Sequence, residues 1–90
     1  MARPIVLKLG GERLEDGPRT RIVAGEIARA AAAMPLAVVH GGGREIDAAL
    51  ANAGIQKRQV DGLRVTDQPT LDIVVSVLAG GINTRLVAAI

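Results

Sequence analysis

Two short apolar runs in the first half of the chain each end in a cluster of glycines. Ile5-Val6-Leu7-Lys8-Leu9 runs into Gly10-Gly11, and Leu36-Ala37-Val38-Val39 runs through His40 into Gly41-Gly42-Gly43. A mostly apolar run of this length, closed by glycine, reads as a strand covered on both faces, as in a parallel sheet. Parallel neighbours require a crossover of a dozen or more residues. The stretch from about Arg19 to Ala33, rich in Ala and good helix formers, supplies one. Within it Ile22, Ile27 and Ala30 are expected to line an apolar face. Alternation along the first strand puts Ile5, Leu7 and Leu9 on one face and Val6 and Lys8 on the other. Glu12 to Pro18 reads as a loop with Asp16-Gly17-Pro18 as its turn.

Met34-Pro35 closes the first helix. After the second glycine cluster, Ile46, Ala49, Leu50 and Ala53 recur at helical spacing, and Gly54 caps the end. Gln56 to Arg64 is a polar connection with room for a short strand or hairpin. Thr66 or Asp67 is a good N-cap, and Pro69 suits a first helical turn. A helical pattern then continues to Ile90. Leu71, Val74, Val75, Leu78 and Ile82 form one stripe, which Ile73, Val77 and Leu86 carry round the helix. Gly80-Gly81 interrupts it and marks a close contact or a break. The order β-α-β-α-loop-α is the opening of an α/β fold. The chain stops inside an apolar helix, so residues 1–90 are expected to be the N-terminal part of a longer domain.

Hydrophobic residues make up 49% of the chain, and there is no Phe, Tyr or Trp, so the core is aliphatic. A domain of this size covers roughly 60–65% of its unfolded surface and is marginal alone. The absence of Cys rules out disulfides and thiolate chemistry. The net charge of +2 comes from 11 basic and 9 acidic residues that are interspersed, and the densest basic run is Lys57-Arg58. With no aromatic side chains for stacking, no nucleic-acid role is expected. The start, Met1-Ala2-Arg3-Pro4, lacks the apolar segment of a secretory leader, and no uninterrupted apolar run reaches bilayer length. A cytoplasmic protein without a membrane partner is expected.

In an open α/β sheet the carboxyl ends of the strands face the ligand crevice. Glycines there let backbone N–H groups approach an anion, and a following helix adds partial positive charge. The same glycines also suit a tight strand-to-helix turn, and the residues alone leave both readings open. Neither G-x-G-x-x-G nor the P-loop pattern occurs. A lysine within an apolar strand costs desolvation unless it has a partner. Lys8 lies near the strand's carboxyl end, where phosphoryl transfer needs a fixed cation; the alternative is a lysine snorkelling from an edge strand. Arg64, in Gly62-Leu63-Arg64-Val65-Thr66, has the fork that holds a carboxylate, or is an exposed loop residue. His40 has no triad partner and is expected to order its loop. Asp47, Asp61, Asp67 and Asp72 are expected in helices and turns rather than as metal ligands.

Taken in order, Ile5-Val6-Leu7-Lys8-Leu9-Gly10-Gly11, Val38-Val39-His40-Gly41-Gly42-Gly43, Gly62-Leu63-Arg64-Val65-Thr66-Asp67 and Leu78-Ala79-Gly80 with Asn83 resemble the acetylglutamate kinases of the amino acid kinase family. The resemblance covers essentially the whole chain. It implies a three-layer αβα sandwich with a mainly parallel sheet. It also implies phosphorylation of the side-chain carboxylate of N-acetyl-L-glutamate by ATP with Mg2+, the second step of arginine biosynthesis. On this resemblance Lys8 stabilises the transferring phosphoryl group. Gly10 and Gly11 face ATP phosphates, Gly42 and Gly43 contact the acylated substrate, and Arg64 binds its α-carboxylate. Residues 1–90 would form the acyl-amino-acid-binding part. The family's substrate asparagine, organising aspartate, second catalytic lysine and ATP-binding half have no counterpart here, so this piece alone is expected to be inactive. The family's use of the helix spanning 67–90 implies a homodimer, with Ile73 and Val77 facing the partner copy. Two other readings are a kinase for an aminoadipate or glutamate derivative carried on a small protein, and a non-catalytic binding module. Relatives of the first carry an aromatic residue where this chain has Leu63 to Thr66, and Val65 favours the acetylglutamate version.

Overall fold

The computed structural model describes residues 3–90; Met1 and Ala2, part of the start considered above for a leader, lie outside the described residues. Strands β1 (Ile5–Leu9) and β2 (Leu36–His40) pair in parallel, in register from Ile5 with Leu36 to Leu9 with His40. Helix α1 (Gly17–Ala33) is the crossover between them, so the first 40 residues form a β-α-β unit. The fold is α/β, as the two apolar runs predict, but the strands are not covered on both faces: Ile5, Val6 and Val39 are exposed.

Helix α1 starts earlier than expected. Asp16 accepts a hydrogen bond from the Arg19 N–H at 2.8 Å, and Pro18 sits in the first turn. Asp16-Gly17-Pro18 is therefore a helix start rather than a turn, because the carboxylate satisfies a donor that the first turn leaves free. Gly11–Leu14, expected as loop, is a single 3-10 turn that carries Leu14 into the core.

The core gathers Leu14, Ala24, Ile27, Ile82 and Leu86, with Leu9, Leu36, Val38, Val77 and Leu78 packed against it. It is wholly aliphatic. On α1 the buried stripe is Thr20, Ala24 and Ile27, and the Thr20 hydroxyl donates to the Asp16 carbonyl at 2.8 Å. Ile22 does not join this face and is 68% exposed. It lies two residues from Thr20, which at about 100° per residue places it on the far side of the helix.

Helix α2 (Gly43–Asn52) buries Ile46 and Leu50. It ends in a Schellman arrangement: Ile55 N–H donates to Leu50 O at 2.9 Å, Gly54 N–H to Ala51 O at 3.1 Å, and Gly54 has φ +73°. The polar connection then resolves into a hairpin of β3 (Gln59–Val60) and β4 (Leu63–Arg64). Its two turn residues, Asp61 and Gly62, both have positive φ, which makes a primed turn.

The last helix starts at an Asp67 cap, whose carboxylate accepts from Thr70 N–H at 3.1 Å. It runs as α3 (Gln68–Val75), a π-helical segment (Ser76–Ile82) and α4 (Asn83–Ala89). The Gly80-Gly81 interruption is thus a widened stretch of helix, not a break. The expected faces need correction. Val77, Leu78, Ile82 and Leu86 meet the core, whereas Leu71 and Val75 are 42% and 53% exposed. Val77 is therefore not part of a second, free face. By length and mean hydropathy (1.5), Gln68–Ala89 is long and apolar enough to cross a bilayer. Asp72 and Arg85 interrupt it, however, and Ile82 and Leu86 pack into the core of this domain.

Candidate functional site

The parallel register carries the two glycine clusters to the same end of the β1–β2 pair, where Gly41 N–H donates to Leu9 O at 3.2 Å. Beyond that bond the loops touch backbone to backbone. A Cβ placed on Gly11 would stand 2.5 Å from Gly42 Cα and 2.8 Å from Gly42 N. A Cβ on Gly42 would stand 2.3 Å from Ile82 Cδ1 and 3.1 Å from Leu78 Cδ2. Gly11 and Gly42 are therefore packing glycines. They bring the first loop, the second loop and the π segment into one stack that a larger residue would overpack.

The other glycines of the loops differ. Nothing lies within 4 Å of a Cβ on Gly41 or Gly43, and a Cβ on Gly10 meets only the mobile carboxylate end of Glu12. None of the three has a positive φ. At Gly41 and Gly43 neither packing nor backbone conformation demands glycine, and these two leave an open, side-chain-free surface at the strand ends, whereas the Glu12 carboxylate covers Gly10. Gly43 opens α2, and Ile46 N–H makes the first helical bond to Gly42 O at 2.9 Å. The cluster thus combines exposed backbone with a helix N-terminus.

Lys8 sits on β1 opposite Val39, two residues before Gly10. It is exposed and has no hydrogen-bond or ion-pair partner among the described residues. A cleft between β1 and α1 is lined in part by Lys8 and Gly10, beside the apolar Ile5, Leu7, Ile27 and Leu36. His40 Nδ1 lies 3.2 Å from the Gly41 carbonyl oxygen, which ties the ring to the glycine loop it precedes.

Arg64 is not an exposed loop residue. Its side chain is only 20% exposed, and Nη2 donates to Asp47 Oδ1 at 2.8 Å. Nη1 is buried and lacks a hydrogen-bond partner among the described residues. Asp47 also receives Lys57 Nζ at 3.1 Å on its other oxygen. The hydrogen bond from Arg64, with help from Lys57 and against some burial, holds the Asp47 carboxyl below the usual carboxylate range. Asp67 is lowered too, first by its capping bonds from Thr70 and then by Arg58. Asp61 is the turn residue, and Asp72 accepts from Gln68 Nε2 at 2.8 Å.

The structure thus unites Gly10, Gly11, Gly42 and Gly43, with Lys8 on the strand that leads into the first pair. Arg64 joins through Asp47, one helical turn after Gly43. Sequence reasoning missed three residues. Asp47 gave no sign of its partners, which lie 10 and 17 positions away. Leu14 was visible only as a lone Leu in a polar stretch. Arg85 links Leu14 O (3.2 Å) and Glu45 (2.7 Å), bracing the first loop against α2.

The amino acid kinase family matches residues 3–90. The chain is similar to the acetylglutamate kinase of Allorhizobium ampelinum, at 46% identity over 90 residues, covering 98% of this chain and 30% of that protein. It is also similar to that of Chloroflexus aurantiacus, at 44% over 89 residues, covering 94% and 33%. For that of Acaryochloris marina the identity is 38% over 89 residues, covering 98% and 31%. The chain spans about a third of the length of these relatives. Among solved structures, N-acetylglutamate synthase from Neisseria gonorrhoeae, complexed with coenzyme A and L-arginine, superposes with a TM-score of 0.80 at 28% identity, covering 96% of this chain and 20% of that one. The protein smu.665 from Streptococcus mutans UA159 gives 0.76 at 25% identity, covering 94% and 34%.

Proposed function

The chain belongs to the amino acid kinase family, and from that premise we propose that the protein carrying it phosphorylates the side-chain carboxylate of N-acetyl-L-glutamate with ATP, the second step of arginine biosynthesis. The observation that carries this reading is the backbone contact of Gly11 with Gly42. It holds the surfaces of the two glycine loops side by side at the ends of parallel strands. One surface suits a nucleotide phosphate chain and the other a substrate, and in-line transfer requires the two reactants to sit adjacent.

A carboxylate oxygen of the substrate attacks the γ-phosphorus, and the bond to the bridging oxygen of ADP breaks. Gly10 and Gly11 offer backbone N–H groups to the phosphates. Gly42 and Gly43 border the substrate, and the open surface at Gly43 admits it without a side chain in the way. Lys8, free of intramolecular partners among the described residues, supplies positive charge to the transferring phosphoryl group. Arg64 directs its remaining donors to the α-carboxylate. Among the described residues no three acidic or histidine side chains converge on one point. The Mg2+ is therefore assigned to the nucleotide's phosphate oxygens, where it neutralises charge. The residues for the adenine belong to the part of such a protein outside the matched third. We place the protein in the cytoplasm as a homodimer through the helix of residues 67–90, by way of the exposed Leu71 and Val75 rather than the half-buried Ile73 and Val77.

The N. gonorrhoeae neighbour carries this fold under the name of a synthase, which keeps a binding role without phosphoryl transfer as the second reading. An ADP-release assay on the native-length gene product separates them. Turnover with N-acetyl-L-glutamate, and not with L-glutamate or a carrier-linked aminoadipate, is the expected result. Saturable binding of N-acetyl-L-glutamate without ADP release would establish the binding module instead.

A further inference from the structure

The hairpin that carries Arg64 is a two-stranded unit, and such units are marginal in water by themselves. Its other polar links are local: Val65 N–H donates to Arg58 O at 2.9 Å, and Arg58 pairs with Asp67 at 3.0 Å. Its side-chain tie to α2 runs through Asp47. One carboxylate oxygen takes Lys57, which precedes β3, and the other takes Arg64, on β4. The two flanks of the hairpin are thus fastened to a single residue about 6 Å along the helix axis from Gly43.

The charge and hydrogen-bond inventories of this cluster are both incomplete. Two cations share one carboxylate, which leaves one net positive charge. A guanidinium has five N–H donors in a fixed plane. Asp47 engages Nη2, while Nη1 is buried and unpaired among the described residues. A buried donor without an acceptor is costly unless a ligand completes it.

We propose that Asp47 is the positioning residue for Arg64: it fixes one guanidinium nitrogen and pins the hairpin to α2, so that the fork is pre-set for a ligand carboxylate. This role rests on the reading of Arg64 as the anchor for the substrate's carboxylate. Asp47 does not touch the substrate. It acts by pre-setting the plane of the fork, so that binding need not first order a rotamer-rich side chain. Lys57, more exposed and on a flexible stem, helps hold the hairpin but does not set that plane.

The test is ADP-release kinetics on the native-length protein with N-acetyl-L-glutamate and ATP varied in turn. Asp47→Asn is expected to raise the KM for N-acetyl-L-glutamate about tenfold, the scale of one charged hydrogen bond, with kcat and the KM for ATP within about twofold. Asp47→Glu, which keeps the charge, should recover most of that loss. In an Arg64→Lys background, itself raised in the same KM, Asp47→Asn should add little, since both act through one guanidinium. Should the Asn variant not fold by circular dichroism, Asp47→Ala with Arg64→Lys carries the cycle; non-additive KM changes support the role and additive ones overturn it. An active parent whose Asp47→Asn variant keeps its KM, or shifts both KM values equally, overturns the positioning role alone. A parent that releases no ADP with N-acetyl-L-glutamate overturns the functional reading and this role with it.

Discussion

The two halves of the candidate site are held by opposite means. At the glycine loops, Gly11 lies on Gly42 and Gly42 lies under Ile82 and Leu78, in contacts made of backbone and aliphatic carbon. At the hairpin, Arg64 and Lys57 are held by one carboxylate, with little apolar burial: Val60 and Leu63 are 61% and 74% exposed. Close packing is insensitive to salt and pH but intolerant of a single added methyl. Charge pairs at a half-exposed surface tolerate changes of volume but weaken with ionic strength and protonation. A site built this way has one rigid wall, which fixes where phosphate can lie, and one adjustable wall, which carries the substrate's anchor.

Lys8 gives the sharpest break in the comparison, because it belongs to the rigid wall yet holds nothing together. Lys8→Ala in the native-length protein should lower kcat by about 10²–10³-fold, the scale of removing one oxyanion-type donor. The KM for N-acetyl-L-glutamate and the melting temperature should hardly move. An unchanged kcat in steady-state assays would remove Lys8 from the chemistry.

The next effect separates two glycines of one loop. Gly42→Ala should cost about 1–3 kcal/mol of stability by overpacking, read from chemical denaturation. Ile82→Val, which removes the clashing Cδ1, should return part of it. Gly43→Ala meets nothing within 4 Å. It should leave stability within about 0.5 kcal/mol while weakening substrate binding, since alanine is a better helix former than glycine and the only loss is open surface. Equal destabilisation by the two substitutions would mean that Gly42 is not held by packing.

The smallest effect tests the adjustable wall. The folded-state pKa of Asp47 is depressed, so its contribution to stability is full above the ordinary carboxylate range. It is lost as pH falls from about 4 through the folded value. The stability gap between the parent and Asp47→Asn, read from chemical denaturation, should therefore be largest near neutrality, below about 1 kcal/mol in size, and should close in acid and in high salt. A gap independent of both would mean that the Asp47 pairs contribute nothing to folding.

Much of the architecture was legible because it is written locally. The parallel pair, its crossover and the glycine-bounded strand ends follow from apolar runs and their spacing. Asp16-Gly17-Pro18 and Asp67-Gln68-Pro69 are the same device, an aspartate cap followed by proline in the first turn. The first also carries the Asp-Gly-Pro pattern of a turn, and only the backbone bond to Asp16 distinguishes the cap. Of the site, Lys8 and the glycines stood out, but which glycines pack and which stay open depends on Ile82 and on contact between the loops, both long-range. Arg64 looked like a loop arginine because burial and a partner 17 residues away leave no local trace. The misassigned faces of the last helix have one cause, the π segment, which no 3.6-residue template contains.

That segment also has a mechanical meaning. Thr70, Val74, Leu78, Ile82 and Leu86 are spaced by four residues, and all are buried or half-buried. In an unbroken α-helix, positions four apart advance about 40° per step, so such a series would wind about 160° round the axis over its length. The wider turns of Ser76–Ile82 take up this angle and keep the series facing inward. The π segment is thus a phase corrector between two rigid rods. Winding it back to α geometry would rotate α4 relative to α3 and swing Arg85 away from Leu14 and Glu45. Through those two bonds, the twist of one helix is geared to the spacing of the two glycine loops.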